Sequence, residues 1–173
     1  MKFEYGTRVY MIAVFSALAS LLQLLEIFII LPIPFVKIGL ANAIVLFFIA
    51  RNEFLTAFCI NIFRVFIGGF FSAKLFSLPF IFSLSGATLS FFVMLILFAV
   101  FRRTVSLVAV SSAGAVAFNL AQYYLFTYFF DSKFDYNITV SVIILLSLLP
   151  GILTGVIAEI LNRQDIEIIK KPR

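Results

Sequence analysis

The sequence predicts an all-α polytopic membrane protein, a bundle of six transmembrane helices with both termini in the cytoplasm. Three observations carry this reading. Hydrophobic types make up 64% of the 173 residues and charged types only 12%, against about half and about a quarter in a soluble domain. The apolar residues fall into long runs separated by short polar stretches. The cations are shared unevenly between alternate stretches. A soluble globule of this length has too little interior to hide so much apolar surface, and disordered chains are poor in apolar residues.

A crossing helix needs roughly 20 apolar residues and six need about 120, so the chain has room for six with short loops and reads as a single domain over residues 1–173. The first segment, residues 8–30, is stopped by Leu31-Pro32-Ile33-Pro34, because proline removes a donor and disfavours helix in the residue before it. A signal peptide is the competing reading. The apolar stretch is too long for one, and no small-x-small cleavage site follows it. The second segment, 38–50, is short for a crossing; it begins as a re-entrant stretch or is completed by Phe35 and Val36. The third, 54–71, ends near Gly68-Gly69. The fourth, 75–101, contains Pro79 and Gly86 as expected irregularities. The fifth and sixth are 104–130 and 138–161.

Charge sets the orientation. Lys2, Arg8, Arg51, Arg102, Arg103, Arg163, Lys170, Lys171 and Arg173 fall on the side of the termini. Lys37, Lys74 and Lys133 fall on the other, and Arg64 lies within a segment. Of 13 cations the split is nine, three and one, which puts both termini in the cytoplasm. The net charge of +5 is then mostly an orientation signal. The cations at the C-terminal tail read as membrane anchoring rather than as an exposed nucleic-acid patch.

Lipid gives helices no hydrophobic reason to associate, so small residues that permit close approach matter. The first segment has Ala13 and Ala17 four apart, the fifth has Ala113, Ala117 and Ala121, and the sixth has Gly151 and Gly155. Packing inside the bundle is the plain reading, and contact with a partner protein the other.

Polar side chains in hydrocarbon cost a few kcal/mol each and usually face a cavity or one another. At about 1.5 Å per residue, Glu26 lies about 27 Å from Arg8, Arg64 about 20 Å from Arg51, and Asn119 and Gln122 about 24 and 28 Å from Arg103. Asn42 lies about 7 Å from Lys37. Asn61 shares a helix face with Arg64, as Asn119 does with Gln122. Glu26, Lys37, Asn42, Arg64, Asn119 and Gln122 are therefore expected to converge at similar depth in the outer half. Two readings stand. One is a structural Glu26–Arg64 ion pair with amides bonding between helices. The other is an outward pocket whose cationic excess suits an anionic or zwitterionic ligand, since an Arg fork matches carboxylate or phosphate.

Signals for catalysis are thin. With one Cys and no His, a zinc site, a disulfide framework and His-based acid–base chemistry are not expected. Asp131 and Asp135 form one acidic pair in a loop, where magnesium–diphosphate chemistry uses denser clusters on facing helices. A solvated turn is the plainer reading. There is no Gly-rich phosphate loop, and Cys59 in an apolar segment reads as packing. No metal or cofactor is expected.

Several segments together resemble one family. They are Lys37-Ile38-Gly39-Leu40-Ala41-Asn42; Arg64 followed by Gly68; Ser83-Leu84-Ser85-Gly86 continuing to Ser90 and Met94; and Ser112 through Asn119 to Gln122. Their order and spacing, from about Ala13 to Gly155, resemble the Gx transporter family, also labelled heptaprenyl diphosphate synthase component I. Phe118 departs from the pattern, which has His before the Asn; if that His helps bind ligand, this chain's pocket or ligand differs. The family is similar to the substrate-binding S components of energy-coupling factor transporters. The resemblance implies six helices in a prokaryotic plasma membrane and an outward pocket for a small anionic, vitamin- or isoprenoid-related ligand. It also implies docking through Ala13 and Ala17 onto a transmembrane coupling subunit driven by two ATPases, and toppling of the bundle to deliver substrate. The enzyme label implies another role, a non-catalytic accessory subunit of heptaprenyl diphosphate synthesis. Some relatives are associated with flavin-based extracellular electron transfer, again in an accessory place.

Overall fold

The computed structural model describes residues 5–26, 39–101, 104–130 and 136–170. Lys37, the Leu31-Pro32-Ile33-Pro34 stop, Arg102, Arg103 and the loop from Asp131 to Asp135 lie outside them. The described residues form six helices and no strand: α1 (Tyr5–Leu25), α2 (Leu40–Ala50), α3 (Phe54–Phe71), α4 (Leu78–Val100), α5 (Leu107–Phe130) and α6 (Tyr136–Lys170).

The boundaries follow from local chemistry. Gly39 precedes α2 with φ 73°, a left-handed conformation that costs glycine little. Asn42 N–H turns back onto the Gly39 carbonyl at 2.7 Å. Pro79 is not an irregularity inside α4, as the sequence suggested. The helix starts at Leu78 with Pro79 in its first turn, where the missing N–H has no partner to lose. The residues from Ser72 to Ser77 form the turn before it, with Ala73 and Phe76 at positive φ. Helix α6 runs beyond the expected end at residue 161 to Lys170 and continues through Pro150.

Four helical stretches are long and apolar enough to cross a membrane: Gly6–Leu25, Phe54–Phe71, Leu78–Val100 and Ile138–Gln164. Helix α5 is as long, 24 residues, but Ser111, Ser112, Asn119, Gln122, Tyr123 and Tyr124 interrupt its apolar run. Helix α2 differs. Its 11 residues make about 16 Å, roughly half a hydrocarbon core.

Helix α2 is also the centre of the bundle. It packs against each of the other five helices, and eight of its residues are buried. Val45, Leu46, Phe48 and Ile49 form one apolar core with Ala19, Ile60, Phe91, Met94, Val110 and Ala158. A smaller core joins Val65, Phe80, Ala87 and Phe118.

The Gly151/Gly155 step packs inside the bundle. A Cβ on either residue would lie 2.5 Å from a backbone Cα of α5, that of Ser112 or Val108 respectively. Close approach also lets Ser111 and Thr154 hydroxyls pair at 2.8 Å. Glycines do the same between α4 and α5: a Cβ on Gly86 would meet the Phe118 carbonyl at 3.0 Å, and one on Gly114 would meet Met94 at 2.6 Å.

Helix α1 packs on α2 and α3. Its apolar stretch is the least buried of the four, and Tyr10, Ala13, Val14, Ala17, Leu18, Leu21 and Leu25 are exposed along it.

Candidate functional site

Arg64 lies ten residues into α3, on the face that also carries Asn61 and Gly68. Only 2% of it is exposed. A guanidinium in such surroundings must have its donors filled, and two amides fill them. Arg64 Nη2 donates to Asn42 Oδ1 at 2.7 Å and to Asn61 Oδ1 at 2.9 Å, and Nε donates to Asn61 Oδ1 at 3.2 Å. Asn61 in turn donates through Nδ2 to the Ala87 carbonyl of α4 at 3.0 Å. The Arg64 carbonyl accepts from Ser20 Oγ of α1 at 3.1 Å. Arg64 and Asn61 thus tie α1, α2, α3 and α4 together.

Glu26 follows the last turn of α1 and is half-buried. Its Oε1 accepts from the Leu40 N–H. That N–H belongs to the first turn of α2, where no intrahelical acceptor is available and a carboxylate is favoured by the helix dipole. The same carboxylate lies within electrostatic reach of the Arg64 guanidinium. Glu26, Asn42 and Arg64, expected together from depth alone, are therefore joined at the start of α2.

Asn119 and Gln122 occupy the corresponding stretch of α5. Asn119 is fully buried and donates through Nδ2 to Ser147 Oγ of α6 at 2.9 Å, while Ser147 donates to the Ile143 carbonyl at 2.6 Å. Gln122 is 3% exposed and its Nε2 has no hydrogen-bond partner. The contact of Gly86 with Phe118 and the bond from Asn61 to Ala87 put these two residues on the same level of the bundle as Arg64. The Asn119 amide is tied to α6 through Ser147. The sixth expected residue, Lys37, lies outside the described residues.

Two contributors were not anticipated. Ser147 is a hydroxyl in an otherwise apolar run and gives a weak signal. Gln23, half-buried on α1, has its Nε2 about where a side chain on Gly68 would stand, 3.0 Å from a Cβ there. An amide in an apolar run was a signal that could have found it.

The opposite end of the bundle has a more ordinary set. Arg8 and Glu53 approach to 3.9 Å, Thr56 Oγ1 donates to Glu53 at 3.3 Å, and Arg51 stacks over the Phe47 ring at 5.3 Å. Among the described residues no group of three or more His, Cys, Asp or Glu side chains is placed to hold a metal ion.

The layer around Arg64 is rich in donors and has few carboxylates. It can hold an acceptor-rich group, and among the described residues it offers no nucleophile–base pair. No curated protein and no solved structure matches the chain. The sequence pattern that runs through this layer does match a family model, heptaprenyl diphosphate synthase component I, over residues 15–161, and the chain belongs to that family.

Proposed function

We propose that the chain is the membrane-embedded substrate-binding subunit of an energy-coupling-factor type uptake transporter, not itself an enzyme. It takes a small anionic, vitamin- or isoprenoid-related ligand from outside the cell. The carrying observation is Arg64: a guanidinium buried in an apolar helix, gripped by two amides, with one carboxylate beside it. An unmatched buried donor is costly in a low-dielectric interior; the Ser16 and Ser90 hydroxyls also lack a partner, but an amide N–H, unlike a hydroxyl, can only donate. Gln122 Nε2 is left unmatched, and a ligand oxygen would supply the missing acceptor.

On this reading six segments cross a prokaryotic plasma membrane with both termini in the cytoplasm, and α2 makes up about half of the second crossing. The exposed Ala13/Ala17 step of α1 meets a transmembrane coupling subunit served by two ATPases. Native mass spectrometry of gently solubilised protein tests the reading: a small molecule retained without nucleotide, and lost in Arg64→Ala, is expected. A folded Arg64→Ala protein that keeps the molecule would remove this residue from the site.

The matched family's name favours a second reading, a non-catalytic accessory subunit of heptaprenyl diphosphate synthesis; accessory service to flavin-linked extracellular electron transfer is its variant. It requires stable co-purification with a soluble synthase or redox partner. Recovery of the ATPase module alone would count against it.

A further inference from the structure

Arg64 and Glu26, the two charges at the start of α2, are held very differently. Arg64 is 2% exposed and its guanidinium makes three hydrogen bonds to Asn42 and Asn61. Glu26 comes from the end of α1 and is half-buried. Its carboxylate reaches a first-turn N–H of α2 and the field of the guanidinium. An amide N–H at a helix start together with a buried guanidinium is a place where an anion is held. In this structure the protein's own carboxylate occupies it. A second and independent observation is the buried and unpartnered Nε2 of Gln122 on α5, a further donor with no protein acceptor.

We propose that Glu26 is a tethered stand-in for the ligand: an incoming carboxylate or phosphate group displaces it from the Leu40 N–H and takes its place in the field of the Arg64 guanidinium. This rests on the anion-binding reading of the site given above. It adds that the resting site is occupied by the protein itself, and that binding frees the end of α1 from the start of α2. The exchange keeps a negative charge in the field of Arg64 throughout, so an anion can enter without leaving a buried cation uncompensated, which would be strongly destabilising.

The test uses the full chain in phosphatidylcholine nanodiscs, with acetate and inorganic phosphate as probes and chloride at equal ionic strength as control. Unfolding is followed with a thiol-reactive dye at Cys59, which lies half-buried in α3. In Glu26→Gln the probes no longer compete with a tethered anion. Half-saturation is expected at about tenfold lower concentration than in the wild type, the factor that about 1.4 kcal/mol represents. Glu26→Asp, which keeps the charge and shortens the reach, falls between them and serves if the Gln variant does not fold.

Adding Arg64→Gln removes the response. Equal half-saturation in wild type and both Glu26 variants would overturn the stand-in role while leaving the anion site in place. A response to chloride as large as to the probes would overturn it as general screening. No response of any variant to any probe would overturn the anion-binding reading itself. Repeating the measurement with phosphatidylglycerol identifies the source. Stabilisation of Glu26→Gln without added probe points to a lipid headgroup, and stabilisation only with probe points to a solute; both agree with displacement.

Discussion

An arginine at the centre of an apolar bundle is expensive, about 2.5–3.5 kcal/mol at mid-membrane on insertion scales, and the neighbouring amides show how the cost is offset. Asn61 receives the guanidinium on its oxygen and spends its Nδ2 on the Ala87 carbonyl. Asn61→Ala removes both contacts and is expected to lower stability by about 1–3 kcal/mol, the cost of buried groups left unpaired, measured by thermal unfolding in detergent. A change of a few tenths would mean that water replaces the amide. Arg64→Lys keeps the charge but loses the planar fork that meets two oxygens. The variant is expected to fold and to lose the retained ligand in native mass spectrometry. The sequence made Asn42, Asn61 and Arg64 visible because polar residues stand out in apolar runs. It gave no partners: that Glu26 meets a backbone N–H of α2 depends on where a neighbouring helix begins.

Between elements, contact is governed by the absence of side chains. At Gly151 a Cβ would stand 2.5 Å from the Ser112 Cα, and backbone cannot move aside as a side-chain tip can. Gly151→Val is therefore expected to part α5 from α6 and to cost about 1–3 kcal/mol or more. At Gly114 the obstruction is the Met94 side chain, which can rearrange, so Gly114→Ala should cost less. Comparing the two unfolding midpoints checks the ordering; equal losses would show that Met94 is locked. Helix α1 presents the opposite case. Ala13 and Ala17 are exposed, so Trp at both positions should leave stability within about 0.5 kcal/mol. On the proposed function the same double variant fails to assemble with the coupling subunit while keeping its ligand, which co-purification with that subunit reads directly. The small-residue steps were legible in sequence as a class. Which step turns inward and which outward was not, because spacing along one helix says nothing of the helix beside it.

For the molecule as a whole, the expected arrangement is six crossings with cytoplasmic termini. A Cys59→Ser background with single cysteines at Asn52 and Lys74, both exposed in turns, tests it with a membrane-impermeant maleimide. Labelling at Lys74 and protection at Asn52 in intact cells is expected, and the reverse would invert the topology. Composition and apolar run length alone determined that the chain is helical and membrane-like, because a bilayer sets segment length and requires backbone groups to be satisfied within each segment. The run of 54–71 coincides with α3 for that reason. The central place of α2 was decided only by tertiary structure. Its 11 residues look too short when read alone, and they become the core because the other five helices enclose them. Enclosure brings the start of α2 beside Arg64, so the same short helix supplies both the middle of the apolar core and the N–H that the Glu26 carboxylate meets.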